Sequence, residues 1–161
     1  MAALYIAVYF PYRRGSPPER ALSSYVVAVA GAAGGLLHLF DARVGVARNM
    51  LTGPVPMAVF LDCPALDAQL LLAAAMLAFH ATWRRKLVGL GGGLAALTLL
   101  NLGRIVVLYV VGLRWPAAFR LVHEDICQFL IVAAAFALFA VWARWVAAAG
   151  VDSVDKAVAD T

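Results

Sequence analysis

Few side chains in this 161-residue sequence could do chemistry: two cysteines, three histidines and one arginine inside a long apolar run. Cys63 stands directly before Pro64 and the apolar stretch that begins there. Proline is favoured in the first turn of a helix, so Cys63 belongs at a helix N-terminus. A thiol there feels the positive end of the helix dipole and ionises more easily, as a nucleophilic cysteine must. The other reading is a small buried hydrophobe, since free cysteine is among the most buried residue types. The neighbouring carboxylates of Asp62 and Asp67 work against a thiolate. Arg104 lies within LTLLNLGRIVVLYVVG, where nothing in its own helix neutralises it. An arginine at mid-bilayer costs about 2.5–3.5 kcal/mol even on insertion scales. Asn101, three residues earlier, shares its helix face. The pair reads either as an inward-facing site or as a structural clamp on a neighbouring carbonyl or carboxylate.

His123, followed by Glu124 and Asp125, opens the last apolar stretch, where an imidazole can exchange protons or simply cap a helix at an interface. Cys127 comes one turn later on the same face. It is a rival nucleophile, a disulfide partner for Cys63 in an oxidising compartment, or a packing residue. His38 ends the first apolar stretch and could join His123 in clamping a haem iron, a non-enzymatic alternative. His80 belongs to the opposite end and reads as interfacial. Gly31-x-x-x-Gly35 and Gly89-x-x-x-Gly93 permit close helix approach. The second is not a phosphate loop, because no Gly-Lys-Ser/Thr follows it.

The elements that must position these residues follow from composition. The chain is 65% hydrophobic and 14% charged, with a mean hydropathy of +0.89, against about 45–50% and about 25% in ordinary soluble domains. One soluble core this size cannot hide so much apolar surface. Soluble enzyme folds, disordered chains, coiled coils and nucleic-acid modules are thereby excluded. The net charge of +4 does not point to nucleic acid, because membrane proteins use basic residues at helix ends for orientation. Four apolar stretches stand out: Ala21–Phe40, Pro64–Trp83, Leu87–Leu113 and Ile126–Val146. The last three are long enough to cross about 30 Å of hydrocarbon, and such spans must be helical because lipid cannot satisfy exposed backbone groups. The expected fold is an all-α, polytopic transmembrane bundle with three to four spanning helices and membrane lipid as its solvent. Trp83, Trp115, Trp142 and Trp145 sit near span ends, as interfacial aromatics do. Met1–Phe10 is apolar but lacks a basic start, and Tyr9–Arg14 offers no small-residue cleavage site, so no cleaved signal peptide is expected.

Orientation follows from the basic residues. With Ala21–Phe40 as a span, one side holds Arg13, Arg14, Arg20, Arg84, Arg85, Lys86 and Arg144, and the other holds Arg43, Arg48, Arg114 and Arg120. The richer side, including the short Arg84–Lys86 loop and both termini, is then cytosolic. If residues 21–40 lie on the membrane instead, three spans remain and the count no longer favours this orientation. In the four-span arrangement Cys63, Arg104 and His123 come from three helices but one leaflet. A cysteine, a histidine and a cationic oxyanion donor are the minimum for thiol acyl transfer.

From Cys63 to Trp145 the chain resembles the exosortase/archaeosortase family, and within it the small exosortases paired with IPTL-type sorting tails. The resemblance is carried by Cys63 with Leu66-Asp67-Ala68 after it, a hydrophobic helix ending in Trp83-Arg84-Arg85, Leu99-Leu100-Asn101-Leu102-Gly103-Arg104-Ile105-Val106, and His123 followed by Gln128 and a helix ending in Trp142. It implies a membrane cysteine protease/transpeptidase of the inner membrane, with its site on the extracytoplasmic side. Its partners would be exported proteins ending in a short motif, a hydrophobic helix and a basic cluster. Cys63 would be the nucleophile, Arg104 the oxyanion stabiliser and His123 the acid/base, with Asn101 supporting Arg104 and no cofactor or metal required. The chain then divides into a membrane-associated N-terminal segment and outer loop (1–62), a catalytic helical core (63–146) and a polar tail (147–161). In family members the region matching residues 21–40 lies outside on the membrane surface, whereas the charge count makes it a span. A topology reporter fused after Lys86 should behave as cytosolic, and periplasmic behaviour there would reverse the orientation.

Overall fold

The computed structural model describes the backbone of residues 17–59 and 64–159 and the side chains of residues 20, 22–59 and 65–148. The Met1–Phe10 stretch and Cys63 lie outside the described residues. The described residues are 79% helical, with four helices among them. Helix α1 spans Pro17–His38, α2 spans Pro64–Ala78, α3 spans Trp83–Arg114 and α4 spans Cys127–Ala159. Strands β1 (Gly45–Ala47), β2 (Met50–Thr52) and β3 (Met57–Ala58) form a small antiparallel meander between α1 and α2. Between α3 and α4 the chain passes through a 3₁₀ turn (Pro116–Ala118), one α turn (Phe119–Leu121) and a π turn (Val122–Ile126).

Among the described residues two helical runs are long and apolar enough to cross a membrane, Trp83–Arg114 and Pro116–Ala148. Their apolar side chains are largely turned outward: only 39% and 22% of their most apolar windows are buried. Leu99, Phe129 and Val141 are among the large hydrophobics left exposed on α3 and α4. An apolar surface of that extent needs lipid or a protein partner to cover it. The apolar parts of α1 (Leu22–His38) and α2 (Ala65–Ala78) are shorter. With 15 residues, α2 covers about 22 Å at 1.5 Å per residue, and it stops before the expected boundary at Trp83.

Arg84-Arg85-Lys86 is not a loop, contrary to the sequence-based expectation. The turn is Phe79–Thr82, and the basic residues form the first turn of α3 after an extended Thr82 (φ −65°, ψ 148°). Cations are disfavoured at a helix N-terminus. Here they serve neighbouring helices instead. Lys86 Nζ donates to the Leu77 carbonyl at 2.6 Å, near the C-terminus of α2, where a cation is favoured. An Arg85 guanidinium nitrogen donates to the Val146 carbonyl of α4 at 3.3 Å.

Helices α2 and α4 both run antiparallel to α3. Gln69 meets Thr98 and Leu72 packs at Gly93; Arg85 meets Val146 and Trp142 donates to the Arg85 carbonyl at 3.0 Å. Their shared core holds Ala65, Ala68, Leu72, Met76, Leu97, Ile131, Ala135, Trp142 and Val146. Helix α1 runs in the same direction as α3: Tyr25 bonds Gln69 beside Thr98, while Asp41, just past α1, bonds Tyr109. A second core joins α1 to the meander and the distal half of α3 through Val29, Ala33, Leu37, Leu51, Ile105 and Tyr109.

Of the four spaced glycines, Gly89 and Gly93 act as expected. A Cβ on Gly93 would meet Leu72 at 2.8 Å, and one on Gly89 would overlap the Trp142 indole. Gly31 and Gly35 instead face open space, and the close approach on α1 falls on Gly34, against Val46 of β1. Gly89→Ala should displace the indole, break its bond to Arg85 and destabilise the bundle by about 1–3 kcal/mol, the usual cost of overpacking. Thermal unfolding in detergent, followed by tryptophan fluorescence, measures this. Gly91→Ala, whose Cβ meets open space, should not share the loss.

Candidate active site

One face of α3 is buried along its length: Gly89, Gly93, Leu97, Asn101, Arg104, Ile105, Leu108 and Tyr109. The 3.6-residue period of the helix places these on a single stripe. Small residues occupy its first half, where the helices close tightly. Asn101 and Arg104 occupy its middle, between the two apolar cores. Their relative exposures are 3% and 6%, so the only charge inside this apolar run is withdrawn almost completely from the surface. Neither residue is without an interaction partner.

What faces Arg104 is set by the antiparallel register. The alignment that places Val146 at Arg85 and Trp142 by Gly89 brings Cys127 level with Arg104. The guanidinium acts electrostatically on both Cys127 and His123. Cys127 is buried and carries a free thiol. His123 is half-buried and stacks on Phe119, with ring centroids 5.8 Å apart and planes within 6° of parallel. Both belong to the only π turn among the described residues or its edge; the Cys127 amide closes that turn on the Val122 carbonyl. A π turn holds one residue more than an α turn and is frequent at functional sites. Here it changes the aim of His123 relative to Cys127.

Arg104, Asn101 and His123 of the sequence-derived set are therefore described, and Arg104 and His123 are brought together. Cys63 lies outside the described residues. Helix α2, which it precedes, begins at Pro64. The register of Leu72 at Gly93 and Gln69 at Thr98 brings the first turn of α2 level with Asn101. Ala65 and Ala68 of that turn are buried with Leu97 and Ile131. His38 is committed to the meander: its Nδ1 donates to the Val44 carbonyl at 2.9 Å, which places the proton on Nδ1. Among the described residues no group of three or more His, Cys, Asp or Glu side chains is placed to hold a metal ion.

Sequence reasoning missed a buried polar node one turn from Asn101. The Gln69 side chain amide donates to Thr98 Oγ1 at 3.0 Å and to the Tyr25 hydroxyl at 3.2 Å, tying α1, α2 and α3 together. Thr98 Oγ1 donates in turn to the Leu94 carbonyl at 2.8 Å. The signal was available: Gln69 is an amide inside an apolar helix, and Thr98, Asn101 and Arg104 recur every three residues. Beyond Arg104, the Tyr109 hydroxyl donates to Asp41 Oδ2 at 2.9 Å, and Arg43 grips the same carboxylate with its Nε at 2.9 Å and a second nitrogen at 3.0 Å. This clasp fixes the meander over the distal end of α3. The Arg43 side chain, the Arg43 amide and the Tyr109 hydroxyl hold the Asp41 carboxyl well below the usual carboxylate range, and Asp41 in turn raises the Arg43 guanidinium.

No protein-family model, curated protein or solved structure matches the chain.

Because the Asp41 carboxyl is depressed in the folded state, its stabilising contribution is complete above the ordinary carboxylate pKa and is lost only as pH falls toward the lowered value. Amide protection of β1 and β2, corrected for intrinsic exchange, should therefore stay constant from pH 8 down to pH 5. Tyr109→Phe should lower that protection across the same range. A fall in wild-type protection between pH 6 and pH 5 would show that Asp41 is not the anchor.

Proposed function

We propose that this chain is a multi-pass membrane cysteine peptidase/transpeptidase of the exosortase/archaeosortase type, cleaving C-terminal sorting tails of exported proteins. One observation carries the reading: a nearly buried arginine, accompanied by Asn101 on a helix long and apolar enough to span a membrane, acts on a histidine and a thiol of the facing helix. Keeping a guanidinium at that depth is costly, so a developing negative charge is the natural substrate for it. In this reading the bundle sits in the inner membrane with three to four spans and the Arg104 level toward the extracytoplasmic side. The parallel course of α1 and α3 supports counting α1 among them, with α2 as a short return.

The Cys63 thiolate attacks the backbone carbonyl carbon at the sorting motif. The carbonyl electrons move onto oxygen, and the Arg104 guanidinium stabilises that oxyanion. As the tetrahedral intermediate collapses, the C–N bond breaks and protonated His123 gives its proton to the leaving amine. The acyl group, now a thioester, passes to an amine acceptor or to water, and neutral His123 takes the proton from that nucleophile. Asn101 orients Arg104. A second reading keeps this chemistry but makes Cys127 the nucleophile, and the register that sets the buried Cys127 level with Arg104 favours it.

A tailed reporter expressed with the enzyme tests the assignments, with turnover normalised to membrane-inserted protein. Arg104→Ala should lower turnover by about 10²–10³, the usual loss of one oxyanion donor. Arg104→Lys should fail nearly as badly, because one compact ammonium does not replace parallel guanidinium donors. Cys63→Ala should abolish processing and Cys127→Ala should retain most of it; the opposite pattern would move the nucleophile to Cys127. Full turnover per molecule in Arg104→Ala would reduce Arg104 to a folding residue.

A further inference from the structure

An open groove of about 250 Å³ runs between α2, α3 and α4 at the end of the bundle opposite the Asp41 clasp, lined by Met76, Gly92, Gly93, Leu138, Val141 and Trp145 among others. It is almost wholly apolar and lies below the about 300–1,000 Å³ of pockets that enclose small molecules. The furrow exists because glycines occupy the α3 side: Gly92 has open space where a side chain would stand. Two exposed cations flank its outer end. Arg84 lies one turn before Val88, which also lines the groove, and Arg144 lies three residues after Val141. Residues so spaced share a helix face, and the contact from Arg85 to Val146 holds the two helix segments side by side. Exposed Trp83 and Trp145 mark the same level, as interfacial aromatics do.

We infer that this groove holds one acyl chain of an anionic phospholipid, with Arg84 and Arg144 binding its phosphate. The inference rests on the membrane-spanning arrangement of α3 and α4 proposed above. Charge selects the occupant. A sorting tail carries a basic cluster after its hydrophobic helix, which Arg84 and Arg144 would repel. A second copy docked symmetrically would set the same arginines against each other. An anionic headgroup complements them, and the cytosolic leaflet, where the basic-residue count places this end, is rich in such lipids. Guanidinium pairs with phosphate through two parallel donors, a geometry suited to a fixed headgroup.

Native mass spectrometry of the full chain in detergent, titrated with phosphatidylglycerol or phosphatidylcholine of identical acyl chains, tests the site. Wild type should bind one phosphatidylglycerol at least tenfold more tightly than phosphatidylcholine. Arg84→Ala/Arg144→Ala should erase that preference while leaving weak binding of both lipids. Gly92→Leu, which fills the furrow, should lose the bound lipid. Gly91→Leu, which also meets open space but does not line the groove, should bind as wild type does. Undiminished preference in the double arginine variant, or equal binding by Gly92→Leu and wild type, would overturn the proposal. So would a dimer abolished by Gly92→Leu with no change in lipid count, which would assign the groove to a second copy. Carbonate extraction of the wild-type protein from membranes reads the spanning arrangement separately: release into the soluble fraction would overturn that arrangement, whereas lipid indifference in a carbonate-resistant protein would overturn the lipid site alone.

Discussion

A guanidinium held at 6% exposure within an apolar helix is the constraint that organises this bundle. Its charge demands polar company, and that company has to come from other helices because α3 supplies only Asn101 on the same face. Helix α4 answers with Cys127 and His123, and does so through a π turn that departs from regular helical spacing at that point. One turn away, Gln69 joins α1, α2 and α3 through Thr98 and Tyr25. In a low-dielectric interior a satisfied polar network is strongly directional, since each member left unpaired costs far more than it would in water. The polar layer therefore specifies how four otherwise interchangeable apolar helices are arranged.

On either side of that layer α3 packs by different means. Toward Trp83 its glycines bring α2 and α4 close, and the Trp142 indole fills the space over Gly89 while bonding the Arg85 carbonyl. The basic first turn then caps carbonyls of the two flanking helices, so residues unfavourable to their own helix stabilise its neighbours. Toward Arg114 the side chains are larger, and α1 and the strand meander cover them in place of α2 and α4. The Asp41, Arg43 and Tyr109 clasp ends that half. Close helix contact at one end and a polar layer followed by a cap at the other leave the proposed chemistry at the Arg104 level, where three helices meet.

The parts of the candidate site that could be read in the sequence are those whose logic is local. The period of α3 places Asn101 and Arg104 together, and an uncompensated arginine among leucines and valines announces a polar interior whatever surrounds it. Gly89 and Gly93 could be read as contact points for the same reason. Gly31 and Gly35 could not be told from Gly34, because choosing among adjacent glycines requires knowing where β1 lies. The meander itself was hidden in what reads as a long loop, since strands of two or three residues show almost no alternation. Gln69 was passed over because a single amide in an apolar run acquires meaning only once Thr98 and Tyr25 are seen beside it.

By itself the sequence determined the class of molecule: its composition forces helices whose apolar faces look outward, and its few charged and nucleophilic residues bound the chemistry. Those conclusions need only residue type, spacing and the cost of exposing apolar or charged groups. Tertiary structure decided the rest. It turned the Arg84–Lys86 run from a loop into a helix start, shortened α2, and set Cys127 opposite Arg104 through a register that begins at Arg85 and Val146. Register between helices arises from side chains distant in sequence meeting in space, and no periodicity within a single helix contains it.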